Sequence, residues 1–309
     1  MRLLIVVNAD KPRVRPALRE MLPWLKERVE IVGVDDDHRT DMSKVDADAI
    51  LVLGGDGTLL SAAHRLGGRQ VPLLGVNFGR LGFLASFTPR QFMQHFESFV
   101  QGKLSVRPRD AIEVSVLPSD VDCPILDCDA VTQRRRFVSM ALNDAVVTAG
   151  PPFHIVELQI GVDGEGVIRY FGDGVIVATA SGSTAYNVAA GGPIISPAVD
   201  ALCITPICPH GLSFRPVVIS IQSTVVIVAG QVNPGTTLQC DGERPTTLKR
   251  GERIVIRRAA NPVLLVENPD SLEWRTLAEK LNWAAGPAYN LDEGKFDSEE
   301  QKSDATDKN

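Results

Sequence analysis

Along the first hundred residues short apolar runs alternate with segments whose apolar positions recur at helical spacing. Residues 2–8 (Arg-Leu-Leu-Ile-Val-Val-Asn) form a run rich in branched side chains, the pattern of a strand buried on both faces in a parallel sheet. From Pro16 to Val29 the positions Leu18, Met21, Leu22, Leu25 and Val29 trace a helical stripe leading into a second strand at 30–34. A third strand, 49–53 (Ala-Ile-Leu-Val-Leu), runs straight into Gly-Gly-Asp-Gly-Thr and a helix; 71–76 repeats the strand pattern and 92–100 the helical one. This half reads as a doubly wound α/β domain, residues 1–106.

From about Arg107 the period changes to two, with strands expected at 112–117, 137–147, 155–162, 175–179, 217–228, 236–240 and 253–257. That is a mainly-β, sandwich-like domain over 107–262. After Val263 a helical pattern through Leu272, Leu277 and Leu281 is expected to return to the first domain over 263–285, and from Gly286 onward the composition is that of a disordered acidic tail.

Composition changes this picture little. With 44% hydrophobic and 23% charged residues, the 309-residue chain is of globular type. The net charge is −6, and residues 291–309, with seven acidic side chains against three lysines, hold −4 of it. The nearly neutral remainder gives no basic surface for nucleic acid. No apolar run reaches the roughly 18 residues of a membrane span, and the first apolar stretch is too short for a secretory signal, so a cytoplasmic protein is expected. Five cysteines fit reduced thiols; Cys123 with Cys128, and Cys203 with Cys208, lie at the loose edge of zinc spacing, and small buried apolar residues are the simpler reading. Between the first two β-domain strands, 119–136 reads as a long polar loop whose Arg134, Arg135 and Arg136 form a solvated turn.

The chemistry is densest at Gly54-Gly55-Asp56-Gly57-Thr58, where a buried strand gives way to a helix. Ligands collect at that edge of an open parallel sheet. Glycines let the backbone approach a phosphate, and the helix N-terminus adds partial positive charge; Gly54, Gly55, Gly57 and Thr58 are thus phosphate-binding candidates. A carboxylate beside phosphates is repelled unless it takes a proton from an attacking hydroxyl or faces a metal ion, so Asp56 points to phosphoryl transfer. The competing reading is a tight turn with an aspartate cap. Neither a lysine-bearing P-loop nor a Gly-x-Gly-x-x-Gly fingerprint after a strand is present.

Taken with Val76-Asn77-Phe78-Gly79-Arg80-Leu81-Gly82-Phe83-Leu84, Asn143-Asp144, Asp173-Gly174, Ser181-Gly182-Ser183-Thr184-Ala185-Tyr186, Ala190-Gly191-Gly192-Pro193-Ile194, Pro206-Ile207-Cys208-Pro209-His210 and Arg215-Pro216, the turn resembles the NAD kinase family over roughly residues 1–285. The resemblance implies phosphorylation of the 2′-hydroxyl of the adenosine ribose of NAD by ATP or polyphosphate. Asp56 would be the proton acceptor, and a divalent cation, Mg2+, would travel with the donor. It implies that NAD is held by Gly57, Phe83, Asn143, Asp144, His154, Asp173, Ser181, Thr184, Ala185, Tyr186, Asn187, Val188, Ala189 and Glu243, and that the protein is a homodimer or homotetramer. His210 lies in a family motif without an assigned role. The chain departs from the family pattern at Asp144, where glutamate is frequent; at Phe171, where many bacterial members carry a basic residue and Arg169 is the nearest substitute; and at Glu243, where glutamine is usual. Two rival readings stay open: a kinase of the same superfamily acting on a lipid or sphingoid base, and a dinucleotide sensor without catalysis.

Overall fold

The computed structural model describes residues 1–79, 82–121, 134–271 and 273–281. The first sheet is built from β1 (Arg2–Val7), β2 (Glu30–Asp35), β3 (Ala49–Gly54), β4 (Leu73–Asn77), β5 (Val106–Arg109) and β18 (Val263–Val266), in the order β2-β1-β3-β4-β18-β5. All pairings are parallel except that of β18 with β5. Strand β1 explains why its sequence is continuously apolar: Leu4 and Val6 pack on one face, Leu3, Ile5 and Val7 on the other. The first face is covered by Leu59, Ala62, Ala63 and Leu66 of α2 (Asp56–Leu66). The second is covered by Met21 and Leu25 of α1 (Val14–Lys26) and by Phe92, Phe96 and Phe99 of α3 (Pro89–Val100). Because β2 and β3 lie on opposite sides of β1, the order reverses at the β1/β3 pair, and a crevice opens outside the carboxyl ends of those two strands.

Two antiparallel sheets follow. One is β10 (Glu165–Gly172), β9 (Val156–Val162), β14 (Val225–Gln231), β17 (Arg253–Arg258), β6 (Ile112–Leu117) and β7 (Phe137–Ala141); the other is β13 (Val217–Ser220), β12 (Ala201–Ile207), β11 (Gly174–Thr179), β8 (Asp144–Thr148), β15 (Thr237–Cys240) and β16 (Glu243–Thr247), each in that order. Their inward side chains, among them Val114, Leu158, Ile227 and Ile254 from one and Val147, Val175, Leu202 and Leu238 from the other, share one core. The mixed α/β and β-rich layers agree with the sequence reading; several boundaries do not.

The expected strand 137–147 is two, β7 and β8, because the backbone at 142–144 leaves the ladder to donate to Asp241. The expected strand 217–228 is likewise β13 and β14, separated by a turn in which Ser223 donates to the Ser220 carbonyl. At residue 263 a strand, β18, enters the first sheet before the helical pattern begins, and α5 (Glu273–Leu281) lies in a second unit beginning at Asp270. Leu272, Arg80, Leu81, Cys123, Cys128 and the tail from Gly286 fall outside the described residues. Arg134, Arg135 and Arg136 are ion-paired with Asp120, Glu113 and Glu252 respectively.

Candidate active site

Helix α2 starts at the turn that the sequence singled out. Gly54 ends β3, and a Cβ there would lie 2.2 Å from Thr58 Oγ1, so the turn closes only around glycine. Thr58 Oγ1 accepts from the Gly55 N–H at 3.4 Å and from Asn8 Nδ2 at 3.3 Å. This ties the end of β1 to the start of α2. Gly57 is exposed with open space where a side chain would begin.

Asp56, half-buried at the first helical position, turns its carboxylate onto the second glycine-rich motif. Oδ2 accepts from the Phe83 N–H at 2.7 Å, and Oδ1 from the Leu84 and Ala85 N–H groups at 3.2 and 2.9 Å. A Cβ on Gly82 would come within 1.8 Å of Oδ1, which explains the glycine. A carboxylate offers about four acceptor positions. Among the described residues three are taken, and the one left is on Oδ2.

A cleft of about 210 Å3 lies at the other end of α2, between Asn143, Asp144, Ala185, Tyr186, Gln239 and Asp241. Tyr186 is 45% exposed and presents its ring at the rim, where an amphipathic face suits a nucleoside. Asp144 is buried; that burial and the neighbouring charge of Asp241 push its carboxyl up to about 7, while the Tyr186 backbone N–H acts the other way. The floor is set by Asp241. Its buried side chain accepts from the N–H groups of Leu142, Asn143 and Asp144 at 2.8, 2.7 and 3.0 Å, and pairs with His64 Nε2 of α2 at 2.9 Å. Asp56 and His64 are eight residues apart on one helix, about 12 Å at helical rise. The Asp56 turn and the cleft are thus spaced by a rigid element.

The remaining predicted residues divide into three sets. Ser181 and Thr184 lie in a 3-10 turn, Ser181–Thr184, leading into the short helix α4 (Tyr186–Ala189). Val188 and Ala189 lie on that helix. Asn187 is fully buried: Nδ2 donates to the Ser183 and Pro193 carbonyls, both at 3.0 Å, and Oδ1 accepts from Thr205 Oγ1 at 2.6 Å. Its amide therefore ties the Ala190–Ile194 loop to β12 and spends both of its N–H donors inside the protein. Phe83 is half-buried beside Asp56, and Glu243 opens β16 just after the Asp241-Gly242 turn.

His154 and Asp173 stand apart. Asp144 pairs with Ala178 and Thr148 with Gly174 in the β8/β11 register, so Asp173 is five residues, about 17 Å, from Asp144 along the sheet. Around it, the Cys208 thiol hydrogen-bonds the Asp173 carboxylate and is held above its ordinary range by that contact. The His210 N–H donates to the Phe171 carbonyl at 2.9 Å. His154 is exposed, and its carbonyl accepts from Asn233 Nδ2 at 2.7 Å. Arg169 is paired with Glu157 at 3.1 Å.

Three residues at the site escaped the sequence reading. Asp241 and Gly242, at φ 53° and 72°, form the two-residue loop between the paired Cys240 and Glu243; an Asp-Gly pair between two strand patterns is the signal that would have found them. Lys11, in the loop after β1, lies beside the Gly54-Gly55 turn, and its nearness to the carboxyl end of a parallel strand was the available clue.

A glycine turn holding a carboxylate at the edge of a parallel sheet, joined by one helix to an aromatic-rimmed cleft in a β-layer, is the arrangement of a nucleotide-directed kinase. Residues 37–104 match the ATP-NAD kinase N-terminal domain and residues 142–268 the ATP-NAD kinase C-terminal domain. The chain is 35% identical over 283 residues to the NAD kinase of Rhodopirellula baltica, covering 92% of this chain and 87% of that one. It is 36% identical over 267 residues to that of Syntrophobacter fumaroxidans, covering 86% and 90%. Among solved structures, yeast NADH kinase complexed with NADH superposes with a TM-score of 0.80 at 25% identity over 94% of this chain and 89% of that one. An Archaeoglobus fulgidus NAD kinase in complex with ATP gives 0.71 at 26% identity over 91% and 99%. The chain belongs to the NAD kinase family, enzymes that phosphorylate NAD to NADP. The lipid-kinase reading gives way to this one.

Proposed function

We propose that the chain transfers the terminal phosphoryl group of ATP, or of polyphosphate, to the 2′-hydroxyl of the adenosine ribose of NAD, with Asp56 as proton acceptor. The 2′-oxygen forms a bond to the terminal phosphorus as the bridging P–O bond of the donor breaks; the hydroxyl proton passes to Asp56, and ADP or the shortened polyphosphate leaves. The observation that carries this reading is the grip of three backbone N–H groups on Asp56. It fixes the carboxylate beside the Gly54-Gly55 turn and leaves one acceptor position on Oδ2 for a hydroxyl. General-base help of this kind is typically worth 10²- to 10⁴-fold.

NAD occupies the cleft between Asn143, Asp144 and Tyr186, its adenosine ribose directed along α2 toward Asp56. The relatives solved with NADH and with ATP support a dinucleotide and a nucleotide donor as ligands here. Mg2+ arrives as part of the donor. Among the described residues no group of three or more His, Cys, Asp or Glu side chains is disposed to hold a metal, and an ion that keeps its waters and bridges phosphates requires only one or two carboxylates.

The protein works as a homodimer or homotetramer in the cytoplasm. In support, Asp173 is five residues, about 17 Å, from Asp144 along the sheet, His154 is exposed, and the edge strands β10 and β13 expose Ile168, Phe171 and Val217. A second copy would cover that apolar edge and bring its Asp173 and His154 to a neighbouring cleft. Residues 1–106 with the returning strand form the donor domain and 107–262 the NAD domain. The test is direct. Purified protein with NAD, Mg2+ and either ATP or polyphosphate is assayed for a product accepted by an NADP-specific dehydrogenase. Absence of that product with every donor would overturn the reading.

A further inference from the structure

The loop leaving β1 carries Asn8-Ala9-Asp10-Lys11 to the crevice at the β1/β3 switch point. Lys11 reaches across it. Its Nζ donates to the Gly54 carbonyl at 3.3 Å, and a Cβ on Gly55 would lie 2.7 Å from the same nitrogen. The side chain is half-buried, and among the described residues no carboxylate is paired with it. An ammonium carries three donors, so two remain after the bond to Gly54.

The position is electrostatically odd without a ligand. Most lysines keep the ammonium fully in water, whereas this one is folded onto a glycine turn next to the positive end of α2 and gains only a neutral carbonyl. An anion at the turn resolves the arrangement. A triphosphate or polyphosphate end would bring several negative charges to within reach of Asp56, itself anionic, and needs a cation placed on the turn to offset them. Lysine suits a chain of phosphates, since it acts as a point charge without demanding the forked geometry of arginine.

We propose that Lys11 is a donor-binding residue: its ammonium, held on the Gly54-Gly55 turn, contacts the phosphate chain of the donor and neutralises part of its charge next to Asp56. This rests on the reading of the turn as the donor site. Specificity follows, because a cation at the turn favours the longer and more highly charged donor, whereas NAD, which draws its main contacts from the cleft at the other end of α2, depends on it far less.

The experiment compares wild type, Lys11→Met and Lys11→Arg in steady-state kinetics with Mg-ATP and NAD varied separately, alongside the thermal shift produced by each ligand alone. Lys11→Met is expected to raise the KM for ATP, or lower kcat/KM for ATP, by about 10- to 100-fold, the worth of a charge-assisted contact. The KM for NAD and the NAD-induced thermal shift stay within about twofold, a change far smaller than one such contact. The ATP-induced shift is lost in Lys11→Met, and Lys11→Arg recovers most of both donor effects. An unchanged KM and thermal shift for ATP would overturn the proposal, as would equal weakening for ATP and NAD. Failure of the wild type to form NADP would instead remove the kinase reading itself, while the ATP-induced thermal shift would still report on Lys11.

Discussion

Two aspartates in this molecule do the same thing to the backbone and are placed for different ends. Asp56 accepts from three consecutive N–H groups, of Phe83, Leu84 and Ala85. Asp241 accepts from the three consecutive N–H groups of Leu142, Asn143 and Asp144. What separates them is the fourth position. At Asp241 it is filled by His64 inside the protein, and the side chain is fully buried; at Asp56 it is open and the residue half-exposed. A carboxylate whose acceptor sites are all satisfied internally is a fastener. One with a site left over, at the edge of a parallel sheet, can accept a hydrogen from a bound ligand, the role proposed for Asp56.

The comparison is broken most severely by Asp241→Ala. That change strands three buried N–H groups and the ring nitrogen of His64, and the expected loss is about 3 to 5 kcal/mol of stability, as for other buried charged groups deprived of a partner. Urea unfolding measures it; a loss under about 1 kcal/mol, the size of one ordinary hydrogen bond, would show that Asp241 holds nothing. NAD binding should fall with it, because the 142–144 turn forms the wall of the cleft.

The next effect sharpens the picture of the cleft through pH. Asp144 titrates near about 7 in the folded chain and near about 3.9 when unfolded. Between those values the folded state keeps a proton that the unfolded state has released. The stabilisation from this group is complete below about pH 4 and disappears as pH rises through about 7. Asp144→Asn should remove up to about 4 kcal/mol of pH-dependent stability across that window, three pK units at 1.36 kcal/mol each. Unfolding free energies of both proteins at pH 5 and pH 8 decide it. Parallel slopes would mean the carboxyl is ionised throughout.

The smallest expected change is His64→Phe, which leaves the volume filled and Asp241 with its three N–H donors. A cost of about 1.5 to 3 kcal/mol is expected for the one lost hydrogen bond to a charged group. Because α2 carries both His64 and Asp56, the same variant should lower kcat more than it raises the KM for NAD; an unchanged kcat would mean that this contact does not align the helix.

Much of the fold was legible because burial on both faces leaves a continuous apolar run, as in Leu3–Val7 and Ala49–Leu53, and because the glycine turn follows directly. Edge strands wrote weaker signals. Strand β5 is Val-Arg-Pro-Arg, with no apolar alternation, and β10 exposes Ile168 and Phe171 where a core strand would hide them. Strand β18 is four residues long, too short to be told from the start of a helix. At the site, Asp56 and the Asn143-Asp144 pair were visible from their motifs. Asp241 and Lys11 were not, since each acts on a turn distant in sequence: Asp241 on residues about a hundred positions earlier, Lys11 on a glycine 43 positions later. Asn187 shows the opposite case, a motif residue whose buried amide bonds to Ser183, Pro193 and Thr205 inside the protein.

The most direct measurement of the central claim is Asp56→Asn, followed by NADP formation and NAD binding in the same preparation. The amide keeps the shape and one acceptor oxygen but cannot take a proton, so turnover should fall by at least about 10²-fold. NAD affinity, measured by thermal shift, should remain. Retention of most activity, or loss of NAD binding in proportion to activity, would contradict the assignment of Asp56 as the base.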